Sequence, residues 1–382
     1  MKTKYKVNLR KTLAGFLFIT MMSGCGLIGN DDKAINWDDA SLERAMRQAT
    51  GIESGPIRQS NVAGLDTLDL SGYNIKDASA LKYVKDLRDL TLKSDSMRDL
   101  SSVAEISQLE SLDIRNGSFT DLSPLTALPN LKELYISGNS ITDISPLAEI
   151  PTLEKLVSRN TGVEDLKPLE SLTAMRYLDI SGNPVTDIRS VTKLESLEKL
   201  RMSGIGTSSF ADISKLQNLT LLDISKNHCS SIAFVEQLQN LKTLDAGDNM
   251  ITNVSALSSL KELESLDLSK NGTLTDISPI KGLTSLTSLD ISKTYVRDLE
   301  PLRNLVNLTE LNAYIIGIYD ISPLEKLVSL EYLDLSHNWI SDISALKNMT
   351  KLKHLEIQGN RISDYAPISG LSIEELKTDQ NS

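Results

Sequence analysis

The chain has 382 residues, 40% of them hydrophobic, 24% charged and only 4% aromatic, with a formal net charge of −11. Its first 24 residues hold five cations (Lys2, Lys4, Lys6, Arg10 and Lys11) and no acid, so the remainder carries −16. A body that acidic is repelled by nucleic acid and by anionic membrane surfaces, which excludes those partners and favours basic or neutral ones. Two cysteines in unrelated contexts, Cys25 and Cys229, exclude a disulfide framework or a paired-cysteine metal motif.

The cationic start leads into an apolar run, Thr12–Met22, of about ten residues. A bilayer span needs ~20, so the run fits the hydrophobic region of a signal peptide. Met22-Ser23-Gly24-Cys25 then resembles a bacterial lipobox. The resemblance implies a signal peptide over residues 1–24, cleavage before Cys25 and a diacylglyceryl group on its sulfur. Two acyl chains anchor stably where one is marginal. Residues 25–33 read as a tether, giving an extracytoplasmic protein whose only link to the membrane is the lipid.

Residues 34–64 read as a small helical cap. Asp38 or Asp39 is placed to N-cap a helix whose apolar face is Leu42, Ala45, Met46 and Ala49, with Gly51 as its stop. Ser60–Ala63 has the makings of one further helical turn. An open stack of repeats needs such a cap over its apolar end.

From Leu65 a phrase of 22 residues recurs, heard best at residues 131–152 (LKELYISGNSITDISPLAEIPT). Fourteen copies fill residues 65–372, and a half-repeat with a polar tail fills 373–382. The register slips twice, by one extra residue after Asn271 and one missing after Leu352. This is the signature of a leucine-rich repeat solenoid, in which each unit must stack on its neighbours to bury its core. The predicted fold is α/β: a curved horseshoe with a parallel β-sheet on the concave face and short 3₁₀ turns on the convex one.

Each column has a predicted task. The first, fourth and sixth positions (Leu131, Leu134, Ile136) point inward, and the third, fifth and seventh point outward. The ninth is asparagine in seven repeats, and its amide is expected to bond the turn and the next repeat. Ile205 and Ile316 interrupt that ladder, predicting local looseness. Asp at the thirteenth position precedes Ile/Leu-Ser-Pro-Leu, in which Ser145 is expected to cap a 3₁₀ turn and Pro146 to take its first position. The motif SGNSITDISPL and the preceding cap resemble internalin-type domains, which implies this repeat class and a protein-binding role.

No catalytic constellation rises above the repeat background. His337 and His354 lack a third ligand, and Cys229, in a column occupied elsewhere by Ile251 and Val185, reads as a buried structural thiol. The chain is therefore expected to be no enzyme, to use no cofactor or metal, and to act as a monomer.

Function is expected on the concave face. Its central outward column is acidic in nine repeats, with an unbroken stripe Asp223, Asp245, Asp267 and Asp290 suited to a cation or a basic peptide. Departures from that wording form two groups. The first is Tyr135, Val157, Arg159, Tyr177 and Arg201, with Lys93 and Arg115 at its edge. The second is Asn312, Tyr314, Ile315, Tyr332, His337, Trp339 and His354. Aromatic and arginine side chains carry most interface energy, so both groups are predicted to contact a protein or peptide ligand. Host-cell adhesion in the manner of internalins and a structural role in the envelope are the alternatives.

Overall fold

The computed structural model describes residues 32–379. Cys25, the signal peptide and most of the tether lie outside them. The described chain is one solenoid. Fifteen strands, β1 (Thr67–Asp69) to β15 (Glu375–Lys377), pair in parallel in strict chain order. One more strand forms than the fourteen full repeats require, because the terminal half-repeat supplies β15, which pairs with His354–Glu356. Leu131, Leu134 and Ile136 are fully buried, and their columns form a continuous aliphatic core.

The cap helix α1 runs Ala40–Thr50, with Asp39 as its N-cap and Gly51 in the left-handed conformation as its stop. One Asp39 carboxylate oxygen accepts from the Ser41 and Leu42 N–H groups, and the other from Lys76 and Asp77 in the first repeat. Burial opposes ionisation, but these four donors hold the carboxyl below its ordinary value. A single side chain thus starts the helix and fixes it to the solenoid. Leu42, Ala45 and Met46 are buried as expected, whereas Ala49 faces solvent.

The asparagine ladder forms, but it reaches back to the preceding repeat rather than on to the next. Asn139 accepts from the Phe119 N–H and donates to its own Ile136 carbonyl and to Ile114 one repeat earlier. This direction removes the predicted looseness. Ile205 and Ile316 are buried, and their N–H groups donate to Asn227 and Asn338 of the following repeats. Those asparagines also bond the Met202 and Ala313 carbonyls that the isoleucines leave unserved. An isolated apolar residue is tolerated because the repeat after it supplies both polar functions. The extra residue after Asn271 is absorbed in a turn closed by the Leu274 N–H donating to the Asn271 carbonyl at 3.0 Å.

On the convex side the turn Ser145–Glu149 is capped by Asp143, not Ser145. The Asp143 carboxylate accepts the Ser145 N–H at 2.8 Å, and Ser145 is the first residue of the turn with Pro146 second. Asp121, Asp187, Asp276, Asp320 and Asp342 act alike. Proline costs nothing there, since its missing N–H would have had no partner inside the turn.

The eighth column adopts positive φ from residue 116 to residue 359, whatever the side chain. Gly138, Gly182 and Gly359 suit it, and Asn116 and Asn160 tolerate it. Ile315, at φ 51°, is the β-branched exception and is 42% exposed.

Candidate binding face

The short strands place two outward side chains per repeat on the concave face, in register from strand to strand. Tyr135 lies in the strand Glu133–Tyr135, opposite Asp113 on one side and Val157 on the other. Its hydroxyl donates to Glu133 at 2.5 Å. Burial first, and then this bond, push the phenol well above its ordinary range. Arg115 stands over one part of the Tyr135 ring at 5.3 Å, and the Lys155 ammonium lies 4.8 Å from it and 5.5 Å from the Tyr177 ring. Lys155 therefore joins the two tyrosines through cation–π contacts, each worth roughly 0.5–2 kcal/mol.

The arginines of the first predicted group and Arg115 at its edge are neutralised by neighbouring aspartates, whereas Lys93 makes no ion pair among the described residues. Arg115 pairs with Asp113, Arg159 with the fully buried Asp179 and Arg201 with Asp223, the last at 3.2 Å. Each of the latter two bridges to the next strand. They flank a depression of about 520 Å³ lined also by Tyr177 and Ser181. Val157, opposite Tyr135 and Asp179 on the neighbouring strands, is only 8% exposed and offers little surface to a ligand.

The C-terminal half is a trough of about 750 Å³. Asp223, Asp245, Asp267 and Asp290 stand opposite one another on consecutive strands. Neighbouring strands are ~4.8 Å apart, so the carboxylates repel. Burial, with Asp223 and Asp267 on either side, pushes Asp245 up to about 8. Burial and Asp267 push Asp290 up to about 6. Asp267 rises for the same first reason. Asn312 ends the stripe by donating to Asp290 at 2.8 Å. The carboxylates form a row and do not converge: among the described residues no group of three or more acids, histidines or cysteines is arranged to hold a metal ion.

The second predicted group divides. Tyr314 meets His337 edge-on with ring centres 5.5 Å apart, and Lys293 lies 5.4 Å from the same ring. Tyr332 lies 6.3 Å from His354, which approaches Glu375 at 3.3 Å. His337 also fills the space over Gly359, where a Cβ would come within 2.6 Å of the ring. Trp339 is not among them. It follows the buried Asn338, and its indole stands on the flank of the solenoid against Arg297 and Arg361. Two further strands follow it, so it does not close the C-terminal end. Cys229 is fully buried, and burial pushes its thiol up.

Sequence reasoning missed Lys155 and Glu133, which sit in the third column. Reading that column together with the fifth would have found them. It also missed Arg297, Tyr319 and Arg361, whose columns read as turn.

The family described as "Leucine Rich repeats (2 copies)" matches residues 107–149, 129–171, 239–282, 261–304, 306–348 and 328–372, just over half of the chain. The chain belongs to the leucine-rich repeat family. Among solved structures it resembles an internalin, inlF of Listeria monocytogenes, at 26% identity over 92% of this chain and 99% of that one, with a TM-score of 0.70. A leucine-rich repeat protein of Leptospira interrogans shares the fold at 20% identity, covering 84% and 94% of the two chains with a TM-score of 0.66. The functional domain of InlJ from Listeria monocytogenes does so at 19% identity, covering 86% and 82% with a TM-score of 0.64. Curated proteins give no match.

Proposed function

We propose that this protein binds a protein or peptide ligand on its concave face, catalyses no reaction, and is held at the outer side of the cell membrane by lipid on Cys25. The observation that carries the reading is the cluster of Tyr135, Lys155 and Tyr177 beside the depression at Arg159 and Arg201. Half-buried aromatic rings held in place by cations form a preorganised contact surface, which lowers the ordering cost of binding. Farther along, the acidic row matches a ligand with basic side chains. The likeness to an internalin supports a binding role on the same scaffold.

A photoreactive phenylalanine analogue at Ser181, on the concave face, should crosslink a discrete partner on intact cells. The same analogue at Ala127, on a convex turn, should not. In the Tyr135→Ala/Tyr177→Ala double variant the Ser181 crosslink should fall at least tenfold, as loss of about 2 kcal/mol at an interface centre requires. Identical products from both faces would sink the concave-face reading.

The anchor has its own test. Cys25→Ala should move the protein from the membrane fraction to the soluble one. Continued membrane association of that variant would overturn the lipid attachment and leave the binding reading untouched.

A further inference from the structure

The flank between the strand ends and the 3₁₀ turns carries a feature that the concave face does not explain. Tyr295, Ile315, Tyr319 and Trp339 are 57%, 42%, 70% and 51% exposed, and they fall in three consecutive repeats. Backbone bonds from Tyr295 to Leu274, from Trp339 to Ile318 and from Arg361 to Ile340 continue the stacking beyond the sheet. They align the tenth column, Tyr295, Trp339 and Arg361, along one edge of the molecule, with Ile315 and Tyr319 two positions to either side of it in the repeat between Tyr295 and Trp339.

Trp339 is bracketed by two guanidiniums, Arg297 at 5.6 Å and Arg361 at 6.0 Å from its ring. Arg297 reaches it from two repeats away, passing beside Gly317 of the repeat between. The Arg297 guanidinium lies 3.7–4.0 Å from where a Gly317 Cβ would stand. Neither arginine makes an ion pair among the described residues. Among those residues Arg47, Arg88, Arg115, Arg159, Arg176, Arg189, Arg201 and Arg303 pair with carboxylates, whereas Arg44, Arg58 and Arg98 resemble these two in making no ion pair but have no exposed indole beside them. Acidic residues stand close by in the chain, Asp298 beside Arg297 and Asp320 beside Tyr319, but the two guanidiniums at the exposed indole are tied to none of them by an ion pair, so they are available to a carboxylate from outside.

Contact with the ring face leaves guanidinium N–H groups directed outward, able to take a carboxylate in a bidentate pair. The indole and the Tyr319 ring supply apolar contact next to them. Trp, Tyr and Arg are the residue types that dominate interface centres. We propose that this flank, centred on Trp339, Arg297, Arg361 and Tyr319, docks an acidic peptide segment of a partner protein in which carboxylates alternate with apolar side chains. From Arg297 to Arg361 the ridge crosses three strand spacings, roughly 14 Å, the length of four to five extended residues. A short peptide can stay on the ridge, whereas an anionic membrane extends far enough to meet the acidic trough of the same repeats as well, which makes it the wrong occupant. This surface is separate from the concave face and does not depend on its ligand.

The chain has two tryptophans, so Trp37→Phe isolates the Trp339 emission. The probe is the capped hexapeptide Glu-Leu-Glu-Leu-Glu-Leu, titrated into the full chain. It should change Trp339 emission saturably, and Arg297→Ala/Arg361→Ala should weaken it at least tenfold. Arg189→Ala and Tyr135→Ala/Tyr177→Ala should leave it unchanged. The Lys-Leu counterpart and phosphatidylglycerol vesicles should not bind. If Trp37→Phe impairs folding, calorimetric titration of the same arginine variants in the parent chain replaces it. Equal binding of the Lys-Leu peptide, binding to vesicles alone, no saturable binding, or indifference to the arginine pair overturns the proposal.

Discussion

Asn183→Ala should cost at least about 3 kcal/mol of stability, against about 1 kcal/mol for Asn249→Ala, although both residues are buried members of the same ladder. Asn183 works alone. The repeat before it has Thr161 in the ninth position and the repeat after it has Ile205. Its amide oxygen accepts from the N–H groups of Thr161, Gly162 and Val163, and its nitrogen donates to the Ser158 and Ile180 carbonyls. Removing it strands several buried backbone groups, at ~1–3 kcal/mol each.

Asn249 stands between two other asparagines. The Ile224 and Ala246 carbonyls that it bonds also receive Asn227 and Asn271, respectively. Its removal leaves chiefly the Cys229 N–H without an acceptor. Urea denaturation gives the two losses. Hydrogen exchange at residues 161–163 locates the first, because repeats unfold locally. Equal losses at the two sites would refute the account of the ladder as a shared, backward-reaching network.

Asp245→Asn should raise the melting temperature at pH 8 by roughly 2–4 °C and have almost no effect near pH 4. The Asp245 carboxyl titrates in the folded state at about 8, far above its ordinary 3.8. The folded protein therefore binds more protons than the unfolded chain between those values, and stability falls as pH rises through the window. At pH 4 the window has barely opened, so asparagine brings almost no gain there. Asparagine also keeps the side-chain oxygen that accepts the Gly247 N–H at 3.1 Å. Thermal melts of both proteins at the two pH values test the claim. A gain that is the same at pH 4 and pH 8 would show that charge repulsion along the row is not its source. A basic ligand over the trough should abolish the pH dependence in the parent chain, since it lowers the cost of ionisation.

Much of this architecture was legible from the order of residues. The period of 22 determined where every core leucine points, because burial within a repeat depends on position in the phrase and hardly on neighbours. Asp143 and Pro146 marked the convex turn, although which residue capped it was misassigned, since Ser and Asp both favour that task and only the hydrogen bond distinguishes them. The interruption at Ile205 read as a defect because a column shows one repeat at a time, whereas the compensating Asn227 lies one repeat on.

The binding surfaces depended on contacts between repeats. Composition by column marked Tyr135 and Tyr177, but Lys155 between them, and the aspartates that neutralise Arg159 and Arg201, emerge only when strands are set side by side. Trp339 shows the limit most clearly. Its residue type announced an exposed contact, yet one column's displacement past the buried Asn338 turned it from the concave face to the flank, where Arg297 reaches it across an intervening repeat. By itself the sequence determined the repeat, its core and its turns, because those are local properties repeated in step. The tertiary structure alone decided which charges meet and which are left open, because side-chain reach across ~4.8 Å between strands is set by neighbours that are 22 residues apart in the chain.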